Sequence, residues 1–201
     1  MTGSGFEIDL GTERAVCDRL VVGATGAVAV TFLPSFLLIA RRNFAGSVRV
    51  VMSQSAQRFI TPFAIRTLSG QEPIVDLFDP PQGIVAPHVE ITAGADLVAV
   101  FPATADLLAK VAGGHADGPV SATILAATCP VAFVPSMNQA MWDKPAVQRN
   151  VARLIEDGYR IMPLAEGYSV KSLDRTAGAL PSFDRIFAFL AAAVESGGPG
   201  R

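Results

Sequence analysis

The chain has 201 residues, enough for one well-buried domain and too few to suggest two. Half of them are apolar and 17% are charged, so either much surface is buried between subunits or part of the chain enters a membrane. The formal charge of -2 argues against a nucleic-acid partner.

Residues 1–17 lack a clear period and read as an arm, with one domain expected over 18–195 and a fraying tail at 196–201. Glu7, Asp9 and Glu13 stand where a secretory signal would need a cationic start and an apolar core. The two cysteines, Cys17 and Cys129, make neither a disulfide framework nor a metal-ligand cluster, which suits a reducing cytoplasm. Leu20 to Ala40 is uncharged and long enough to span a bilayer. Gly23, Thr25, Gly26, Thr31, Pro34 and Ser35 interrupt it, however, so it reads as a strand at Leu20–Val22, a turn, and a helix from Ala27 to Arg42. No membrane segment is expected.

A second strand follows at Ser47 to Met52, then Ser53-Gln54-Ser55 and a helical stretch from Ala56 to Leu68. Pro73, Pro80, Pro81, Gly83 and Pro87 make residues 70–87 a surface excursion that delivers His88. Asp96 to Phe101 reads as a strand, Ala103 to Ala112 as a helix, and Val120 to Ala127 as a short buried segment. Pro130 to Val134 is a buried strand leading into Pro135-Ser136-Met137-Asn138-Gln139-Ala140-Met141-Trp142. Pro145 to Asp157 is amphipathic, Tyr159 to Met162 strand-like, and Ser182 to Val194 the last helix. Short apolar strands alternating with helices point to an α/β fold with a doubly wound parallel sheet.

Polar or small residues cluster at four strand ends: Gly23-Ala24-Thr25-Gly26, Ser53-Gln54-Ser55, Pro102-Ala103-Thr104-Ala105-Asp106, and Pro135 to Asn138. The first two are expected to open helices, and hydroxyls with backbone N–H groups at such a start cradle phosphate. Singly, each reads more readily as plain turn chemistry; together the four suggest a phosphorylated aromatic cofactor. Neither dinucleotide glycine spacing nor a Walker lysine is present. Asn138 either hydrogen-bonds a ligand at the sheet edge or caps a helix. His88 is placed to exchange protons near neutral pH, or is structural. Residues 165–181 read either as a lid over Asn138 or as a solvated connection. No hydrolase elbow or zinc-protease helix appears, and no metal ligand is assigned.

In order, Gly23-Ala24-Thr25-Gly26, Ser53-Gln54-Ser55-Ala56-x-x-Phe59-Ile60, His88-Val89-Glu90-Ile91, Pro102 to Asp106, and Pro135-Ser136-Met137-Asn138-x-x-Met141-Trp142 resemble the homo-oligomeric flavin-containing cysteine decarboxylases. The resemblance covers about Asp18 to Leu190. It implies a Rossmann-like, flavodoxin-like single domain. It implies flavin binding, usually FMN, by the turn at Gly26, Ala27 and Val28, by Ser53 and Ser55, by Thr104, Ala105, Asp106 and Leu107, and by Ser136. His88 would match the active-site histidine. Asn138 would hold the substrate carboxylate beside Met137 and Met141, and residues 165–181 would match the substrate clamp. Asp106 stands where the family usually has Asn. A carboxylate accepts but does not donate, so flavin contacts there, and FMN against FAD, stay open.

That family oxidises a cysteine thiol to create an electron sink β to the carboxylate, so that CO2 leaves and an enethiol remains. In its coenzyme A branch a clamp cysteine helps reduce the product. This chain has no cysteine after Cys129. The resemblance therefore implies the lantibiotic-type peptide branch: oxidative decarboxylation of the C-terminal cysteine of a ribosomally made precursor peptide, on the way to aminovinyl-cysteine. Phosphopantothenoylcysteine decarboxylase and a non-catalytic flavin-binding regulator are the alternatives. The family assembles as trimers or as dodecamers of four trimers, which would bury apolar surface between subunits.

Overall fold

Runs of Val, Leu and Ala bounded by turn residues form the strands, and the side-chain period of two sends alternate residues to opposite faces. The computed structural model describes residues 15–168 and 175–197. In it, β1 (Cys17–Ala24), β2 (Ala45–Met52), β3 (Leu97–Ala103), β4 (Val131–Pro135) and β5 (Arg160–Ile161) form one sheet in the order β2-β1-β3-β4-β5. Every pairing in it is parallel. The sheet is thus the doubly wound, flavodoxin-like type expected, with its order reversing beside β1.

Helices cover both faces. Val22, Val50, Ala99, Phe101 and Val134 point to one core, with α1 (Leu33–Ile39) and α8 (Phe183–Glu195). Val21, Val51, Val98, Val100 and Phe133 point to the other, with α4 (Ala105–Ala112), α5 (Pro119–Ala126) and α7 (Pro145–Glu156). β3 is buried at every position. In the first core Phe36 stacks on Phe101 and Phe187, with ring centroids 4.6 and 4.9 Å apart. Truncating such a ring to Ala costs about 3–5 kcal/mol.

Leu20 to Ala40 divides into β1, a 3-10 helix at Val28–Phe32 and α1, and no described helix is long and apolar enough to cross a membrane. The single helix expected over Ala27 to Arg42 is instead three segments: the 3-10 helix, α1, and a π-helical turn at Ala40–Phe44. Pro34 explains the first boundary, because its missing N–H and fixed φ suit the first turn of α1 but not the middle of a helix. The helix expected over Ala56 to Leu68 also breaks. Ala56–Arg58 is one 3-10 turn, and α2 (Pro62–Ser69) starts afresh where Thr61 Oγ1 accepts from the Ala64 N–H at 3.2 Å. Ser53 and Ser55 therefore open a single turn and no helix dipole.

The excursion at 70–87 is tied to the sheet edge through Ile74, which exchanges 2.9 Å backbone bonds with Val50 and Met52 of β2. It ends in α3 (Pro87–Glu90), which packs on α5. Within the expected clamp, β6 (Ala165–Tyr168) and β7 (Arg175–Ala179) form an antiparallel hairpin separate from the main sheet. Residues 169–174 of that segment, 1–14 of the expected arm and 198–201 of the expected tail lie outside the described residues. β7 packs against α6 (Gln139–Trp142), the helix that follows Asn138.

Candidate active site

The carboxyl ends of β1, β2 and β3 converge, and hydrogen bonds lock their turns together. Buried Thr25 donates its hydroxyl to the Pro102 carbonyl at 2.6 Å and accepts from the Thr104 N–H at 3.1 Å. The Ser53 N–H donates to the Ala24 carbonyl at 2.9 Å, and the Ser53 and Ser55 hydroxyls lie 3.0 Å apart. Gly26 completes the approach: a Cβ there would sit 2.5 Å from the Ser55 Cβ, so only glycine fits.

A cavity of about 730 Å³ opens over these turns. Of the sequence-predicted residues, Ser53, Ser55, Thr104, Asp106 and Leu107 line it. Gly26, Ala27, Val28, Ala105 and Ser136 do not, although Thr25 beside Gly26 does. The cavity also takes in residues that strand-end reasoning passed over, among them Gln54, Lys110, Asp117 and the first turn of α5 from Gly118 to Ser121. Two α-helices thus begin at its wall. Thr104 Oγ1 accepts from the Leu107 N–H at 3.3 Å, and Ser121 Oγ from the Gly118 N–H at 3.2 Å. The other first-turn N–H groups of such helices lack intrahelical partners.

Lys110 bridges Asp117 at 3.1 Å and Asp106 at 3.5 Å. The hydrogen bond to Asp117 is the main cause that raises the Lys110 pKa, and the same bond holds the Asp117 carboxyl below its ordinary value. Asp76 and Asp79 of the excursion add two more carboxylates to the wall.

Asn138, His88, Met137 and Met141 lie outside this cavity. Asn138 caps α6, its Oδ1 accepting from the Met141 N–H at 2.8 Å, so the helix-cap geometry is present. The cap occupies the acceptor and leaves the side-chain NH2 as the donor. Asn138 and Met141 are exposed and Met137 is buried. The Ser136 N–H donates to the Ala103 carbonyl at 2.9 Å, which fastens this turn to the end of β3 beside the cavity. His88 sits in α3. Its Nδ1 is buried and has no hydrogen-bond partner, so a buried polar nitrogen waits for one. The cavity and α3 share α5, whose first turn lines the cavity and which packs against α3. Among the described residues no group of three His, Cys, Asp or Glu side chains is arranged to hold a metal ion.

Compared with known proteins, the sequence matches the Flavoprotein family over residues 12–195. The chain belongs to that family. Within it, the chain is 43% identical over 122 residues to the Coenzyme A biosynthesis bifunctional protein CoaBC of Bacillus subtilis (strain 168), 61% of this chain and 30% of that protein. It is 38% identical over 174 residues to the CoaBC of Mycobacterium bovis (strain ATCC BAA-935 / AF2122/97), 86% of this chain and 40% of that protein. The chain thus spans less than half the length of these curated relatives. Among solved structures, the FMN-dependent cysteine decarboxylase SpaF superposes with a TM-score of 0.73 at 35% identity, covering 89% of this chain and 96% of that one.

The cavity suits the group that gives the Flavoprotein family its name. Its volume falls in the range of cofactor-sized sites. The closeness of Gly26 to Ser55 leaves backbone where a side chain would otherwise intrude. The hydroxyls of Ser53, Ser55 and Thr104 and the starts of α4 and α5 supply neutral donors. With four wall carboxylates against Lys110, a phosphate would be held by these donors rather than by cations.

Proposed function

We propose that the chain is a flavin-dependent peptidyl-cysteine decarboxylase that oxidatively decarboxylates the C-terminal cysteine of a ribosomally made precursor peptide. The product is an aminoenethiol, the precursor of an aminovinyl-cysteine ring of the lantibiotic type. One observation carries the choice of branch: residues 165–181 contain no cysteine, and the last thiol in the chain, Cys129, is buried. That segment of the sequence thus offers no thiol to return electrons to the product. The likeness to SpaF supports the reaction class and FMN as the flavin.

A bound flavin would supply the two-electron oxidant for the cysteine CH2–SH, and the thioaldehyde so formed would be the sink that lets the neighbouring carboxylate leave as CO2. Gly26, Ala27 and Val28, Ser53 and Ser55, Thr104 to Leu107, and Ser136 would hold the cofactor. The Asn138 NH2, aimed by the cap that engages its carbonyl oxygen, donates to the substrate carboxylate. Met137 and Met141 flank it with polarizable apolar surface. His88 holds and releases the proton. The β6–β7 hairpin against α6 closes over the peptide end.

Assembly as a trimer or dodecamer belongs to this reading. The exposed Val28, Phe32, Phe59 and Phe63 offer apolar surface for a second copy, and His88 and Asn138 lie outside the cavity of a single subunit. A cytoplasmic setting fits two unpaired, buried thiols.

The CoaBC likeness favours a second reading, decarboxylation of phosphopantothenoylcysteine. Mass spectrometry decides between them. Peptides ending in cysteine, incubated with the yellow protein, are expected to lose CO2 and two hydrogens. Unchanged peptide together with turnover of phosphopantothenoylcysteine overturns the peptide reading.

A further inference from the structure

His88 stands on an unusually slight support. The helix α3 that carries it has four residues, far fewer than a helix needs to hold itself by its own backbone bonds. Its N-cap residue, Ala86, has no capping side chain. The imidazole Nδ1 has no hydrogen-bond partner among the described residues either. The direction of the ring is therefore inherited from the backbone of α3.

That backbone is tied at both ends. Behind His88, Thr92 Oγ1 lies 3.0 Å from both the His88 and Val89 carbonyls. In front, Glu90 reaches back over the start of the helix. One carboxylate oxygen, Oε1, accepts from the Val85 N–H and from the Ala86 N–H, each at 2.8 Å. These are the last two N–H groups of the proline-rich excursion before Pro87. Glu90 thereby ties down the two N–H groups just ahead of the helix, and fixes the angle at which the excursion turns into it. The same two bonds, that from Ala86 first, hold the Glu90 carboxyl below its ordinary range.

We propose that Glu90 is a positioning residue for His88: by capping the Val85–Ala86 junction it sets the aim of the imidazole without touching substrate or cofactor. The inference rests on the reading of His88 as the residue that handles the proton. It extends that reading to a side chain exposed on the surface, where a charge would ordinarily be free to vary.

The chemistry of the bond gives the test its form. Glu90→Gln keeps an Oε1 acceptor at the same reach, Glu90→Asp keeps the charge but is one methylene short, and Glu90→Ala removes both. Turnover of the holoenzyme, flavin affinity and the His88 imidazole resonances are measured for each. The resonances are assignable because His115 is the only other histidine in the chain. In Glu90→Ala and Glu90→Asp, kcat is expected to fall about tenfold or more, the scale of a misaimed catalytic group, with flavin affinity and KM within about twofold. The His88 resonances should shift in both. Glu90→Gln should restore rate and resonances, and Glu156→Ala, on α7, should change neither.

Wild-type kcat and resonances in Glu90→Asp, while His88→Asn is inactive, overturn the positioning role. An active His88→Asn overturns the proton role of His88 itself, a separate result. If Glu90→Ala does not fold, the Gln and Asp pair decides alone: equal rates in the two overturn the proposal, and a slow Asp variant beside a normal Gln variant supports it.

Discussion

The hydroxyl of Thr25 stands between Pro102 and Thr104, donating to the carbonyl of one at 2.6 Å and accepting from the N–H of the other at 3.1 Å. One side chain at the end of β1 thereby sets where α4 begins. Thr25→Val keeps the shape and strands both groups, at a cost of about 1–3 kcal/mol. A lower denaturant midpoint and weaker flavin binding are expected. Thr25→Ser should recover most of both.

Asn138 caps α6 and is proposed to hold the substrate carboxylate, and two substitutions separate these roles. Asn138→Ala loses the bond from the Met141 N–H and should lower stability by about 1 kcal/mol. Asn138→Asp is an equally good cap, so its melting temperature should match that of the unaltered protein. It offers the substrate carboxylate a like charge instead of a donor, and turnover should vanish. Wild-type KM for the peptide in Asn138→Asp would refute the carboxylate role.

Gly26→Ala should expel the cofactor. The new Cβ would meet the Ser55 Cβ at 2.5 Å and its backbone carbonyl carbon at 3.0 Å, so trimming Ser55 relieves only part of the overlap. Purified Gly26→Ala is expected to be colourless or to bind FMN at least about tenfold more weakly, the equivalent of about 1.4 kcal/mol. Equilibrium dialysis reads this directly.

Asp106 places a carboxylate in the first turn of α4, where a cofactor phosphate would compete with it for the helix start. Asp106→Asn should tighten FMN by roughly 1 kcal/mol, about fivefold, while riboflavin affinity stays constant. Lys110 keeps its closer partner, Asp117 at 3.1 Å. Quenching of flavin fluorescence measures both ligands.

The two thiols should be silent. Burial foremost, then Asp96 and Asp18, pushes Cys17 from its ordinary 9.0 up to about 12, and burial also raises Cys129. As pH rises past 9.0 the unfolded chain ionises first. The Cys17 contribution to stability is therefore complete below pH 9 and shrinks between 9.0 and about 12. A thiol reagent at pH 8 should label the native protein slowly and the denatured protein fully. Turnover by a Cys17→Ala, Cys129→Ala double variant at the unaltered rate would show that no thiol of this chain takes part in the reaction.

The sheet was readable because Val and Leu runs end in turn residues, and those same ends hold Ser53, Ser55, Thr104, Asp106 and Leu107, which line the cavity. The rest depends on partners distant in sequence. Val120 to Ala127 has no apolar period to distinguish helix from strand, so the start of α5 beside the cavity was marked only by Pro119, a first-turn proline after Gly118. Lys110 reads as a solvated helix residue until Asp117, from another turn, meets it. The broken helix after Ser55 was signalled by Thr61-Pro62, a cap followed by a first-turn proline.

α6 contributes no buried residue, and the β6–β7 hairpin that leans on it shares no ladder with the main sheet. Trp142, partly buried, is the point at which α6 rests on the second core. A hairpin and α6 exchanged with those of a relative would therefore have to keep that indole, and would leave the hydrogen-bond ladders of the five-stranded sheet as they are.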